Sequence, residues 1–368
     1  MQDGVQYVDG GNATIEKMSN GTQVVLNNAN AQIKEMVNGA QMVSAGSANI
    51  GVMTNGQQQI LADATGTIEQ MNGGSQIVNG TGSIKDMQDG TQYVDGGNAT
   101  IENMSGGTQK ISSGNASINT MTDGQQQILA NTTGNINTVN GGSQIVWGIG
   151  AIDNFNGGEQ IIEDGGIGTI KNIVGGKQII KSGGTGKVEK YTENQIIQAG
   201  GTGIIETLDT KYTLTSGQTG KVNTVLSGGT QIVGSGAIGY VSNVQSGGQQ
   251  IVQANGIGHI DKINQDSVNT QVVEKGGTGI IGQLNTSITL TEGQTIQVEN
   301  FGENGKLVIG QGATGQTDKY DENVEVGEGG TINVGTLDTE MSLEGDKTAV
   351  IEEEMTEDAV QIVGQDAT

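Results

Sequence analysis

The stretch GTQYVDGGNATIENM, Gly90 to Met104, is one period of a pattern that runs through most of the chain. It holds two short apolar runs, QYV and ATIENM, separated by the turn-forming cluster Asp-Gly-Gly-Asn. No stretch between such glycine clusters reaches the length a helix needs. The runs are rich in Val, Ile and Thr and suit strands of roughly 3–5 residues. Strands this short cannot hold a hairpin meander together, and hairpins would not return to one register in every period. Coiling into a parallel β-helix resolves both problems, because each turn stacks on the one before at about 4.8 Å and like positions form columns.

Outward from this stretch, the pattern Ala/Gly-x-Ile/Val-x-x-apolar recurs sixteen times between Ala13 and Leu284, every 16 to 21 residues. Between the copies lies a second run, usually G-x-Q followed by two apolar residues, as in GTQVV at Gly21, GSQIV at Gly74 and GTQIV at Gly229. The fold class expected is all-β: a right-handed parallel β-helix, or β-solenoid, of about 17–18 residues per rung. The central column runs from Ile15, Ile33 and Ile50 to Ile281. Three residues on, Met18, Met36, Met53, Met71, Met87, Met104 and Met121 give way to Val139, Phe155 and other apolar residues. Methionine filling a narrow core explains that stripe better than a ligand site does. Two positions before each Ile only Ala or Gly occurs, which predicts a corner too tight for a larger side chain.

The residue between the small position and the Ile faces outward by strand alternation. It is Thr14, Gln32, Asn49, Thr67, Ser83, Thr100, Ser117, Asn135 and Thr169, then Lys187, Ile204, Lys221, Tyr240, His259 and Ile280. His259, the only histidine, therefore belongs to a solvent-facing column with no partner pattern for acid–base chemistry. A glutamine column (Gln6, Gln23, Gln41, Gln76, Gln92, Gln109, Gln144, Gln160, Gln178, Gln231) predicts an amide ladder between rungs. Trp147 replaces Asn79 of a related segment and is expected exposed near a turn.

Whole blocks are duplicated. DGVQYVDGGNATIEKMS from Asp3 returns from Asp89, and the segment from Gly56 returns from Gly124, displaced by five and four rungs. Such copying lengthens a shaft without disturbing its core. The repeat is regular to about residue 210 and looser afterwards. The expected organisation is a solenoid over 1–300 and a degenerate acidic segment over 301–368, a cap or a linker; residues 321–368 hold fourteen acidic residues against one lysine.

Composition narrows the function. The 368 residues include 65 glycines, no proline, no cysteine and only nine aromatics, so a thin core many layers long replaces a globular one. Without cysteine there are no disulfides, thiolate metal sites or thiol nucleophiles. All sixteen basic residues are lysine and the net charge is −24, which speaks against nucleic acid and anionic membrane surfaces as partners. No apolar run is long enough for a membrane-spanning helix, and no signal peptide opens the chain. The recurrent GG-x-G-x-φ at Gly165, Gly183, Gly200 and Gly276 lacks the Asp of calcium-binding rolls, since Ile170, Val188, Ile205 and Ile281 stand there. The glycine clusters precede no helix, so phosphate loops are not expected. No metal, cofactor or catalytic residue is expected, and the chain reads as a non-enzyme. Scattered carboxylates and few aromatics also disfavour a polysaccharide-cleaving β-helix.

Two longer passages carry a family resemblance. SGGTQIVGSGAIGYVSNVQSGGQQIV (Ser227 to Val252) and GGKQIIKSGGTGKVEKY (Gly175 to Tyr191) resemble the AIDA-type repeats of bacterial autotransporter adhesin passengers, over about Gly4 to Gln297. The resemblance implies a stalk on the surface of a Gram-negative cell, or secreted from it, serving adhesion, self-aggregation or biofilm formation. It implies as partners a surface receptor or glycan on host or bacterial cells, or further copies of the chain. Some members of the family carry O-linked sugars added by a glycosyltransferase; by position the candidates here are Thr14, Thr67, Ser83, Thr100, Ser117 and Thr169. The family's signal peptide and translocation barrel are missing, so the resemblance makes this a passenger fragment. A glycan-recognising fibre segment of a phage or cell wall, and a polysaccharide-cleaving enzyme, are the alternatives.

Overall fold

The computed structural model describes residues 1–263, 270–357 and 359–368. The described residues form strands and turns with no helix, and the chain coils through about 20 turns of a parallel β-solenoid. It divides into two units, Met1–Glu189 with Asn194–Ile197, and Lys190–Glu193 with Gln198–Thr368.

In the first unit each turn contributes a long and a short strand segment, which run on continuously over Ala64–Val78 and Thr81–Ile128. Long strands such as Asn12–Met18, Ala29–Met36 and Gly46–Met53 pair in parallel, Ile15 beside Ile33 and Ile33 beside Ile50. Short strands such as Val5–Asp9, Thr22–Leu26 and Ala40–Val43 form a second parallel ladder. No strand pairs within its own turn, so the rungs above and below receive the backbone hydrogen bonds. The core is a narrow channel between the two ladders. Each full turn sends one Gln and one Val or Ile inward from its short strand, and Ala or Gly, Ile and an apolar residue inward from its long strand.

The corner lies elsewhere than the small residues suggest. Ala13 and Ala31 sit inside the long strands, paired with each other. The chain bends one residue after the Ile, where Glu16 and Lys17 both face solvent between buried Ile15 and buried Met18. Two successive outward side chains break strand alternation, and a strand can do that only by turning. The small residue has a different cause: it faces the short strand across the narrowest part of the channel. A Cβ on Gly66 would lie 2.5 Å from Ile60 Cδ1, and one on Gly82 2.4 Å from Val78 Cγ2. The turn after each Met does require glycine. Gly74, at φ +84, would drive a Cβ to 2.5 Å from the Gly56 carbonyl.

The glutamine ladder is present, lies fully inside the core, and includes residues the sequence pattern passed over. Gln23, Gln41, Gln58, Gln76, Gln92, Gln109, Gln126, Gln144, Gln160 and Gln178 have no exposed surface. Each Nε2 donates to Oε1 of the glutamine one rung towards the N-terminus, at 2.7 Å from Gln41 to Gln23 and from Gln109 to Gln92. From Gln58 onward most of these amides also reach across the channel to a long-strand carbonyl, as from Gln76 to Ser83 (3.3 Å). One primary amide thereby ties three strands together with both its donors and its acceptor used. Gln58, Gln126 and Gln195 were hidden by neighbouring polar residues, two of them in the run Gln-Gln-Gln, where only the stacking register selects the inward residue.

The second unit keeps the solenoid while the sequence pattern drifts. A short ladder of Gln231, Gln250 and Gln271 follows Tyr212, which takes the glutamine position and is buried. Farther along, Ile288, Leu307 and Val324 stand in register where other rungs carry glutamine. Parallel pairing continues beyond Phe301, from Thr295–Phe301 through Thr314–Lys319 and Thr331–Leu337 to Thr348–Met355. Trp147 is half-buried at a bend rather than exposed, its backbone N–H donating to the Ile128 carbonyl at 2.9 Å.

Gln109→Leu strips partners from Gln92 Oε1 and Gln126 Nε2 inside the core. Chemical denaturation of this variant is expected to show a loss of about 2–4 kcal/mol. Gln6→Leu, at the half-buried end of the ladder, strips one partner, from Gln23 Nε2, and is expected to cost about 1–2 kcal/mol. Gly82→Val overfills the channel against Val78 and is expected to cost about 3 kcal/mol or more by the same measurement.

Candidate glycan and modification surface

The outer face of the long strands in the first unit is a regular polar surface. The inward Ile of each long strand turns the preceding side chain to solvent, and in-register stacking aligns these side chains into a column. Thr14, Gln32, Asn49, Thr67 and Ser83 follow one another by direct pairing, and farther on Ser117, Asn135, Ala151 and Thr169 do the same. Thr14 and Thr100 are exposed, whereas Thr67, Ser83, Ser117 and Thr169 are half-buried. Thr67, Ser83, Thr100 and Ser117 lie together along a shallow groove of about 660 Å³. Thr14 and Thr169 belong to the same column but lie outside that groove.

The groove's second wall is the next outward column, which includes Glu69, Lys85, Glu102, Asn119 and Asp153. Hydroxyls one rung apart therefore face a row of mixed charge and amide. Asn49 Nδ2 bridges the two columns, donating to Thr67 Oγ1 at 2.8 Å and to Glu69 Oε1 at 3.1 Å. The buried ladder orients the column from within. The carbonyls of Thr67, Ser83, Thr100 and Ser117 accept from Gln58, Gln76, Gln92 and Gln109 at 3.3 to 3.5 Å. These contacts tie the backbone of the column to the buried ladder, while strand alternation turns the hydroxyls outward and in-register stacking sets their pitch.

In the second unit the same two columns change character. Lys221, Tyr240 and His259 follow Ile204 on adjacent rungs, beside Glu206, Asn223, Ser242 and Asp261. Most of these residues line a groove of about 520 Å³. Lys221 Nζ stands 5.7 Å from the Tyr240 ring centroid, a cation–π contact, and the His259 ring meets Tyr240 edge-on at 5.7 Å. His259 thus departs from the open surface position expected of it. Its side chain is only 23% exposed, because Tyr240 and Ile280 flank it on the neighbouring rungs. A carboxylate is nearby, with Nδ1 of His259 4.0 Å from Oδ1 of Asp261, beyond hydrogen-bonding distance. Among the described residues, no group of three or more His, Asp or Glu side chains could hold a metal ion, and no helix is long and apolar enough to cross a membrane.

No protein-family model matches the chain, and no curated protein matches it. Among solved structures it is similar to the crystal structure of a TibC-catalysed, hyper-glycosylated TibA fragment. The identity is 18%, over 98% of this chain and 97% of that one, with a TM-score of 0.22. A TM-score of 0.22 is too low for this likeness to bear on function.

Tyr212 offers a spectroscopic check on the second unit. Burial first, and then the charge Tyr191 would carry, hold its phenol far above the ordinary tyrosine range. The Tyr191 ring lies 4.7 Å away, centroid to centroid. The folded state therefore favours the neutral phenol. That stability is complete below the unfolded tyrosine pKa of about 10 and is lost as pH rises above it. Alkaline titration at the phenolate absorbance is expected to show a late phase coincident with unfolding of this unit. Tyr212→Phe should shrink that phase, leaving the contributions of Tyr191 and Tyr320, whose phenols burial also raises.

Proposed function

We propose that this chain is a non-catalytic stalk of an adhesin passenger, displayed on a bacterial surface or secreted from it, that supports adhesion, self-aggregation and biofilm formation. The observation that carries the reading is the column of outward hydroxyls set at one-rung spacing along a groove by a core that repeats without interruption. Thr67, Ser83, Thr100 and Ser117 are the positions where O-linked sugars are most readily added, with Thr14 and Thr169 as outlying sites on the same column. A glycosyltransferase is the partner this implies, and a receptor or glycan on another cell is the adhesive one. A repeating ladder suits such chemistry: neighbouring acceptors share one backbone geometry, so one enzyme could modify each in turn. The resemblance of the GG-x-Q and GG-x-A/G alternation to AIDA-type repeats supports the same reading, as do the duplicated blocks, which add length and nothing else.

A second reading, recognition of glycan by the chain itself, is favoured by one place. Lys221 and Tyr240 beside Glu206, Asn223, Ser242 and Asp261 put planar, cationic and carboxylate groups along one groove, and His259 packs edge-on against Tyr240. A polysaccharide-cleaving role finds less support, since His259 and Asp261 lack hydrogen-bonded partners arranged for proton transfer.

Mass spectrometry of the chain purified from its native cells is expected to find sugar on peptides containing Thr67, Ser83, Thr100 or Ser117. Cells displaying the chain should clump or adhere more than cells that do not. Unmodified peptides together with unchanged clumping and adhesion would overturn the proposal, and release of reducing ends from a polysaccharide would replace it with the enzymatic reading.

A further inference from the structure

The outer face of the short strands in the first unit contrasts with the hydroxyl face. Its middle column carries Ile145, Ile161, Ile179 and Ile196 on four successive rungs, paired directly. Ile196 is 42% exposed and the other three are half-buried. Four β-branched side chains aligned on a flat parallel ladder form a ridge that water solvates poorly and that nothing else in this unit covers.

The charges beside the ridge are ordered by rung. On one rung Ile161 stands between Glu159 and Glu163; on the next, Ile179 stands between Lys177 and Lys181. Glu159 pairs in register with Lys177, and Lys181 Nζ meets Glu163 Oε1 at 2.6 Å. The flanking rungs are neutral, with Ser143 and Trp147 beside Ile145 and Asn194 beside Ile196.

We infer that this four-rung face is where two copies of the chain pair, antiparallel, about a two-fold axis that runs along the strands midway between Ile161 and Ile179. That axis sets Ile161 against Ile179 and Ile145 against Ile196 of the second copy. It also lays the acidic rung of each copy over the basic rung of the other. The alternative two-fold, along the solenoid axis, would set Glu on Glu and Lys on Lys, at a cost in like-charge repulsion. Two ladders with one pitch are also a natural fit, because side chains spaced about 4.8 Å apart interdigitate along the contact only with a surface of the same period. With a net charge of −24, copies repel one another in general, and a face with alternating sign is one where that repulsion is locally reversed.

The contact is small. Four rungs at about 4.8 Å by four residues at about 3.3 Å give roughly 250 Å² per copy, against about 800 Å² for a stable pair. Single pairs should therefore be weak, and function must come from many copies engaging together on opposed surfaces. The inference rests on the self-aggregation part of the proposed function and assigns it a face and a direction.

The test uses beads densely coated with the full chain and reads the rate of clumping. Native beads should clump. Beads carrying E159K/E163K alone, or K177E/K181E alone, should clump at least tenfold more slowly, and an equimolar mixture of the two should regain the native rate. Recovery on mixing also shows that both variants are folded. A general charge effect would instead make the less acidic E159K/E163K chain clump faster. Native clumping that is indifferent to either variant, or a mixture no faster than its components, would overturn this face while leaving self-aggregation standing. Native beads that never clump would overturn both.

Discussion

Every rung of this protein depends on the rung beneath it, because the strands pair only between turns. Backbone donors and acceptors are satisfied by the neighbouring turns, in register and in parallel, so an insertion within a strand would misalign the columns on both sides of it, whereas the loops absorb spacings of 16 to 21 residues. Duplication in register avoids that penalty, and the two repeated blocks return displaced by whole rungs, five and four respectively. In the first unit a second constraint reinforces the first. The buried glutamines join rung to rung and long strand to short strand, and each is satisfied only while its neighbours remain in place. The second unit holds the same fold where Tyr212, Ile288 and Leu307 replace glutamine. The amide ladder therefore specifies register and is not the sole source of cohesion.

From that constraint follow two outer faces with different chemistry in the first unit. The long strands present hydroxyl, amide and carboxylate columns, pitched by the in-register stacking of the rungs. Four rungs of the short strands present an isoleucine ridge in which one acidic rung lies beside one basic rung. Both rest on the same narrow core, so side chains on one face can change without disturbing the other. A surface of this kind acts by repetition. Under the proposed function, it would offer a modification site on successive rungs of a shaft.

Much of the fold was legible because the solenoid writes its period directly into the chain. The Ile and Met columns, the outward hydroxyls and the strand character all follow from spacing and alternation. Three features escaped. The small residues were read as a corner, whereas Ala13 and Gly82 lie within strands and are small because the opposing ladder comes close. Gln58 and Gln126 were not distinguished from the glutamines beside them, since composition cannot tell inward from outward in Gln-Gln-Gln. His259 was placed on the correct face, but its packing against Tyr240 and its proximity to Asp261 depend on residues 19 apart and on a rung's own bend.

By itself, then, the sequence determined that this is a stacked β-solenoid and which side chains share a column, because a strict period leaves few ways to satisfy short strands. Only the tertiary structure decided where the turn bends, how close the two ladders approach, and which residues of adjacent rungs touch. Those are properties of distance across and along the stack, and a repeat that specifies one rung at a time does not contain them.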